Sequence, residues 1–257
     1  MKIIIFGSNS DFIKAAIPYL IEQNHELICL QRKNKDNSEN VTHIKFDILK
    51  DSFEKLIKKN SRLFENWDLL IIAVGDLKPV GKFKDTKINN IMHSINLNLL
   101  KQIELIHFFI NINKNRTKTI LTFAGSGTNG VANNYLSYAL SKVALIKFTE
   151  LLASEEKKIR LVSLGIGWFK SKLHNATLRN RLKSGKNYRN TILNIKKVNN
   201  SEKIKLFIKF LDWIRKTNPK NFNGKNFSLV DDTKIYINKD IPFKLNESSY
   251  FKLRTRK

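Results

Sequence analysis

Apolar runs of strand length alternate with amphipathic runs of helical length almost from the first residue of this 257-residue chain. Lys2–Phe6 reads as a buried strand, followed by strands predicted at Glu26–Gln31, Thr42–Phe46, Trp67–Val74, Lys118–Ala124 and Arg160–Leu164. Helical spacing marks Phe12–Gln23, Ser52–Lys58, Lys87–Ile112 and Leu136–Glu156. Strand, helix, strand repeated in this way implies right-handed crossovers and a doubly wound parallel sheet. No repeat or Pro/Gly/Ser-rich linker divides the pattern, so one α/β domain over 1–257 is expected.

Beyond Gly167 the pattern loosens. His174–Asn200 is polar, rich in Lys, Arg and Asn, and only weakly helical in period. The stretch 168–201 is a candidate lid over a cleft, with a plain surface loop as the alternative. Glu202–Arg215 is amphipathic, with Ile204, Leu206, Phe207, Phe210, Leu211 and Ile214 on one face. Asn226–Val230 is the last predicted strand, and the tail from Asp240 is expected to be irregular.

Composition narrows the class. A single cysteine, Cys29, allows no internal disulfide, no apolar run reaches membrane-spanning length, and the N-terminus lacks the pattern of a signal peptide. A cytoplasmic location is expected. The formal charge of +25 is large enough to attract polyanions non-specifically. Its lysines are spread along the whole chain, and no helix–turn–helix, RNP-like or zinc pattern gives them a docking geometry. They read as solvated surface charge, and no specific nucleic-acid partner is expected. His93 and His107 lie too far apart to share a metal, and no metal site is expected.

In an open parallel sheet, ligands bind beyond the carboxyl ends of the strands. After the first predicted strand comes Gly7-Ser8-Asn9-Ser10-Asp11-Phe12-Ile13, running into a helix. A glycine there lets a dinucleotide pyrophosphate approach the backbone and rest on the helix N-terminus. After the second strand, Leu30-Gln31-Arg32-Lys33 has no acid to hold a ribose diol, whereas arginine accommodates the extra phosphate of NADP. The residues therefore point to NADP(H) more than NAD(H). In Tyr138-Ala139-Leu140-Ser141-Lys142 the phenol and ammonium share one helix face at i and i+4. A lysine charge there is expected to lower the phenol pKa and suit it to general acid–base work.

With the strand Lys118–Ala124 and the loop Gly125-Ser126-Gly127-Thr128-Asn129-Gly130 ahead of it, this arrangement resembles the short-chain dehydrogenase/reductase family. The resemblance runs from about Lys2 to Asp232 and is most specific between Thr122 and Gly167. It implies Tyr138 as catalytic acid/base and Lys142 as its partner and nicotinamide-ribose ligand. It implies Asn96 as the asparagine that holds a proton-relay water, and Asp47, with Ile48, beside the adenine. Gly7, Ser10, Phe12, Arg32, Ala73, Gly75 and Gly167 complete the implied cofactor cradle. The chain departs from the family at several points. Asp11 and Ile13 replace two glycines, Ile72 and Ala73 replace asparagines, and Ile166 replaces a proline. The catalytic serine position falls on Gly125, so Ser126 is the first candidate for that role and Thr128 the second. The stretch Phe227 to Asp232 is similar to a bacterial branch associated with surface-polysaccharide gene clusters.

The expectation is hydride transfer between NADP(H) and a small carbonyl or secondary alcohol, sugar-linked in chemistry as that branch implies. A homodimer or homotetramer is expected from the family and from the two long apolar helices. Two alternatives stand beside it: an NADP(H)-binding protein without turnover, acting as sensor or partner subunit, and a nucleic-acid-binding protein on a borrowed fold.

Overall fold

The structure, a computed structural model, describes residues 1–112, 117–125, 127–128, 130–237 and 251–253. Seven strands form one sheet: β1 (Lys2–Phe6), β2 (Glu26–Gln31), β3 (Val41–Lys45), β4 (Leu69–Ile72), β5 (Lys118–Phe123), β6 (Ile159–Gly165) and β7 (Lys225–Ser228). Their spatial order is β3-β2-β1-β4-β5-β6-β7, and every pairing is parallel. The order reverses at β1/β4, so the loops after these two strands diverge and leave a crevice at the carboxyl edge.

Consecutive residues of each central strand point to opposite faces, and both faces are covered, which is why the strands read as unbroken apolar runs. Ile3, Ile5, Leu27, Cys29, Ile71 and Leu121 face α1 (Asp11–Glu22) and α9 (Asn200–Lys216). Ile4, Phe6, Ile28, Leu30, Leu70 and Ile72 face α2 (Phe53–Lys59) and α4 (Lys101–Ile110). Each large apolar side chain removed from water in these layers contributes about 1.5–3 kcal/mol. Before α4 run α3 (Ile88–Ile95) and a π-helical turn, Asn96–Leu100, which breaks the single helix expected over Lys87–Ile112. The long helix α5 (Leu136–Glu155) follows β5.

The largest departure from the sequence reading lies after β6. The polar stretch forms α6 (Asn175–Leu178), α7 (Arg181–Ser184) and α8 (Lys186–Lys197) before α9 begins. Its inward side chains are small, with Ala176, Thr177, Ser184 and Thr191 all buried, so no apolar stripe announced it. A last helix, α10 (Thr233–Ile237), was not foreseen either, and its Ile235 and Tyr236 join the core. Most of the tail expected to be irregular, including Asp240, lies outside the described residues. Among the described residues, no helix is long and apolar enough to cross a membrane.

Candidate active site

The carboxyl ends of the strands open into a cleft of about 1420 Å³. Its first wall is the turn after β1. Gly7 takes φ +81°, and a Cβ there would stand 2.7 Å from the Ala73 carbonyl oxygen. Glycine is therefore required twice, by its left-handed backbone and by the close approach of the β4 loop. Ser10 precedes α1 with its Oγ buried and, among the described residues, without a hydrogen-bond partner. Phe12 touches the cleft, but its ring packs edge-on against Phe123, Phe169 and Phe207 in the core. Asp11, in the place of a family glycine, accepts a hydrogen bond from the Lys172 backbone N–H at 2.6 Å and pairs with its Nζ at 3.2 Å.

Arg32 and Lys33, beyond β2, and Asp47 and Ile48, beyond β3, line the same cleft. Arg32 is exposed and makes no ion pair among the described residues, while Asp47 accepts from the Leu49 N–H and holds its own turn. Ala73 and Gly75 form the wall after β4, and Gly167, at φ +67°, the wall after β6. An apolar floor, an orphaned buried hydroxyl at a helix start, a backbone approach closed to any Cβ and free cations at the rim suit a dinucleotide with an additional phosphate.

The structure brings Asn98, rather than Asn96, against the loop after β4. Asn96 is half-buried and does not line the cleft. Asn98, two residues on and so on the far side of the helix, is fully buried. Its Oδ1 accepts from the Asp76 N–H at 3.0 Å, and its Nδ2 donates to the Asp76 carbonyl at 2.9 Å. The π turn brings Asn98 against the β4 loop, and Gln102 Nε2 continues the contact to the Val74 carbonyl at 3.0 Å. Ser94, Asn98 and Gln102, polar residues spaced four apart on one helix face and all buried, are the signal of this contact.

Tyr138 and Lys142 both line the cleft although they are only 6% and 4% exposed. Lys142 Nζ donates to the Phe123 carbonyl at 2.9 Å and lies 5.9 Å from the centre of the Tyr138 ring. Burial pushes the phenol pKa up to about 12 and the ammonium down to about 8. The expected lowering of the phenol by lysine is thus reversed, because removal from water disfavours both charged forms. Gly125 holds the family's serine position, and a Cβ there would lie 2.6 Å from the Tyr138 hydroxyl. The phenol fills that space, so any loop hydroxyl must come from further along. Ser126 lies outside the described residues, whereas Thr128 stands on the cleft wall.

A second cavity, of about 350 Å³, adjoins the cleft under the segment after β6. The two share Thr128, Tyr138, Trp168, Leu173 and His174 as a common wall. A large cleft thus meets a small chamber along a wall that includes Tyr138. This is the geometry needed to bring a dinucleotide and a small second reactant together.

Comparison with known proteins agrees. The short chain dehydrogenase family model matches residues 10–181. An uncharacterized oxidoreductase of Schizosaccharomyces pombe is 25% identical over 177 residues, 65% of this chain and 70% of that protein. A short chain dehydrogenase/reductase from Saccharomyces cerevisiae superposes with a TM-score of 0.76 at 18% identity, over 91% of this chain and 98% of its own. A short chain dehydrogenase from Burkholderia cenocepacia in complex with NADP gives a TM-score of 0.60 at 17% identity, over 67% and 74%.

Proposed function

The chain belongs to the short-chain dehydrogenase family of NAD(P)-dependent oxidoreductases, and on that footing we propose that it interconverts a carbonyl and a secondary alcohol with NADP(H), using Tyr138 as general acid/base. The observation that carries the reading is the junction at Tyr138, where a buried phenol with Lys142 beside it faces both the cleft and the small chamber.

A bound dinucleotide supplies the hydride chemistry; the residues of the chain supply position and the proton. Gly7 and Ser10 would admit a pyrophosphate to the start of α1, and Arg32 and Lys33 would hold a 2′-phosphate. Asp47 and Ile48 would border the adenine, and Ala73, Gly75 and Gly167 would close the nicotinamide side. Burial keeps the phenol protonated, so Tyr138 rests as the donor that carbonyl reduction needs. As the new C–H bond forms, Tyr138 gives its proton to the carbonyl oxygen, and the Lys142 cation stabilises the phenolate left behind. The carbonyl oxygen takes a second hydrogen bond from the loop after β5, from Ser126 or Thr128. Asn98, rather than Asn96, fixes the β4 loop against this centre. Assembly as a homodimer or homotetramer belongs to the same proposal, with α3 and α5 packed side by side and Ile88, Met92, Leu136 and Leu140 exposed.

Titration with both reduced cofactors, followed by tryptophan fluorescence, tests the cofactor assignment. NADPH should bind at least tenfold more tightly than NADH, and Arg32→Ala should remove most of that preference. Equal affinity for the two would overturn the role of Arg32. Gly125 supports a second reading, a cofactor-binding protein without turnover, because the family's serine position has no hydroxyl. Tight NADPH binding with no oxidation by any carbonyl compound would favour it.

A further inference from the structure

We propose that His174 selects the substrate, accepting a hydrogen bond at Nδ1 from a hydroxyl near the reacting carbonyl, so that the small chamber favours uncharged polyhydroxylated ketones and their polyols. The inference rests on the reading above, since it takes the junction at Tyr138 as the place of hydride transfer.

Charge comes first. The chain carries 47 lysines and arginines against 22 acids, yet the wall of the small chamber includes no Lys, Arg, Asp or Glu among the described residues. The neighbouring cleft, in contrast, is lined by Lys78, Lys172 and Arg179. A carboxylate or phosphate bound in the chamber would lose part of its hydration and meet no opposite charge on the wall, so a neutral occupant is favoured.

Polarity comes second. Tyr135 and Thr177 are buried with their hydroxyl oxygens 2.6 Å apart, and the buried Thr191 and the amide of Asn187 share the same wall. The Tyr135 hydroxyl also meets the Asn187 side chain, while the Thr177 hydroxyl keeps capacity for a further hydrogen bond. A wholly apolar guest would leave that capacity unused, whereas a guest with several hydroxyls meets it.

His174 then gives direction. Its Nε2 lies 3.0 Å from the Phe169 carbonyl oxygen, which can only accept, so Nε2 carries the hydrogen. The ring stacks on Trp168 with centroids 5.2 Å apart and planes 26° apart, which fixes its orientation. Burial lowers its pKa, outweighing the opposing effect of the Phe169 contact, so the imidazole is neutral near pH 7. Nδ1 is then a lone-pair acceptor, and among the described residues it has no hydrogen-bond partner. His174 and Tyr138 both stand on the wall that the chamber shares with the cleft, so a guest that reaches the phenol lies along the same wall as this acceptor.

Three ring ketones of one skeleton test this: cyclohexanone, its pentahydroxylated form, and a cyclohexanone carrying a carboxylate opposite the carbonyl. With NADPH and the wild-type protein, kcat/KM should be highest for the pentahydroxy ketone and lowest for the carboxylate. His174→Gln, which retains a donor for Phe169 but loses the Nδ1 acceptor, should lower the pentahydroxy-to-plain ratio about three- to tenfold, the worth of one net hydrogen bond, through KM. His174→Asn, which offers an amide oxygen near the Nδ1 position, should restore most of the ratio. A ratio unchanged in His174→Gln, or a wild-type preference for the carboxylate or for cyclohexanone, overturns the inference. If the wild type binds NADPH but reduces none of the three, the proposed hydride transfer fails, and saturation-transfer NMR with the same ketones decides the inference separately. Tightest binding of the pentahydroxy ketone, lost in His174→Gln, sustains it, and equal binding of the three overturns it.

Discussion

Tyr138 and Lys142 stand one helical turn apart, and solvent exclusion governs both. The phenol is pushed up to about 12 and the ammonium down to about 8. For Lys142 the charged form exists below that value and is lost as pH rises through it. If its cation contacts the cofactor, NADPH affinity should fall as pH rises through about 8, and Lys142→Met should flatten the dependence while weakening binding below it. Fluorescence titrations well below and well above that pH check this. The same pH dependence in the methionine variant would mean that another group is responsible. Gly125 belongs to this scale too, since any side chain there would meet the Tyr138 hydroxyl at 2.6 Å. The missing serine and the depth of the tyrosine are thus one feature.

Between elements, the Asp11–Lys172 contact ties the start of α1 to the segment that roofs the small chamber. With Lys172 72% and Asp11 23% exposed, the ion pair itself is worth no more than about 1 kcal/mol of stability. Its charge matters more, because the carboxylate sits at the turn proposed to receive a pyrophosphate. Asp11→Asn retains an acceptor for the Lys172 N–H and deletes that charge. It should shift the melting temperature by only a few degrees and tighten NADPH binding several-fold. Weaker NADPH binding in calorimetry would show instead that the ion pair organises the cleft. The strands and the helices flanking them were legible because apolar runs covered on both faces admit few other readings. The Tyr138–Lys142 spacing was legible because helix geometry puts i and i+4 together. The helices α6 to α8 were not, since they bury Ala176, Thr177, Ser184 and Thr191 rather than a hydrophobic stripe. Nor was the contact of Asn98 with the β4 loop, which depends on a π turn and on Asp76 from another segment.

For the molecule as a whole, +25 charges and an exposed apolar face pull in different directions. Ile88, Met92, Leu136 and Leu140 on α3 and α5 favour self-association, and repulsion between like-charged copies opposes it at low salt. Light scattering should show a dimer or tetramer that strengthens with ionic strength, and Leu140→Glu should shift it toward monomer. A wild-type monomer at all salt concentrations would contradict this face as the interface. The central claim is that the whole assembly of cleft, chamber and helix serves proton transfer at one phenol. The most direct test removes that hydroxyl alone: Tyr138→Phe, assayed by NADPH oxidation with a ketone that the wild type reduces, and by NADPH binding in parallel. The account predicts that turnover is lost by at least a hundredfold, the usual scale of a general acid, while NADPH affinity changes less than about threefold. Turnover at the wild-type rate in Tyr138→Phe would contradict it.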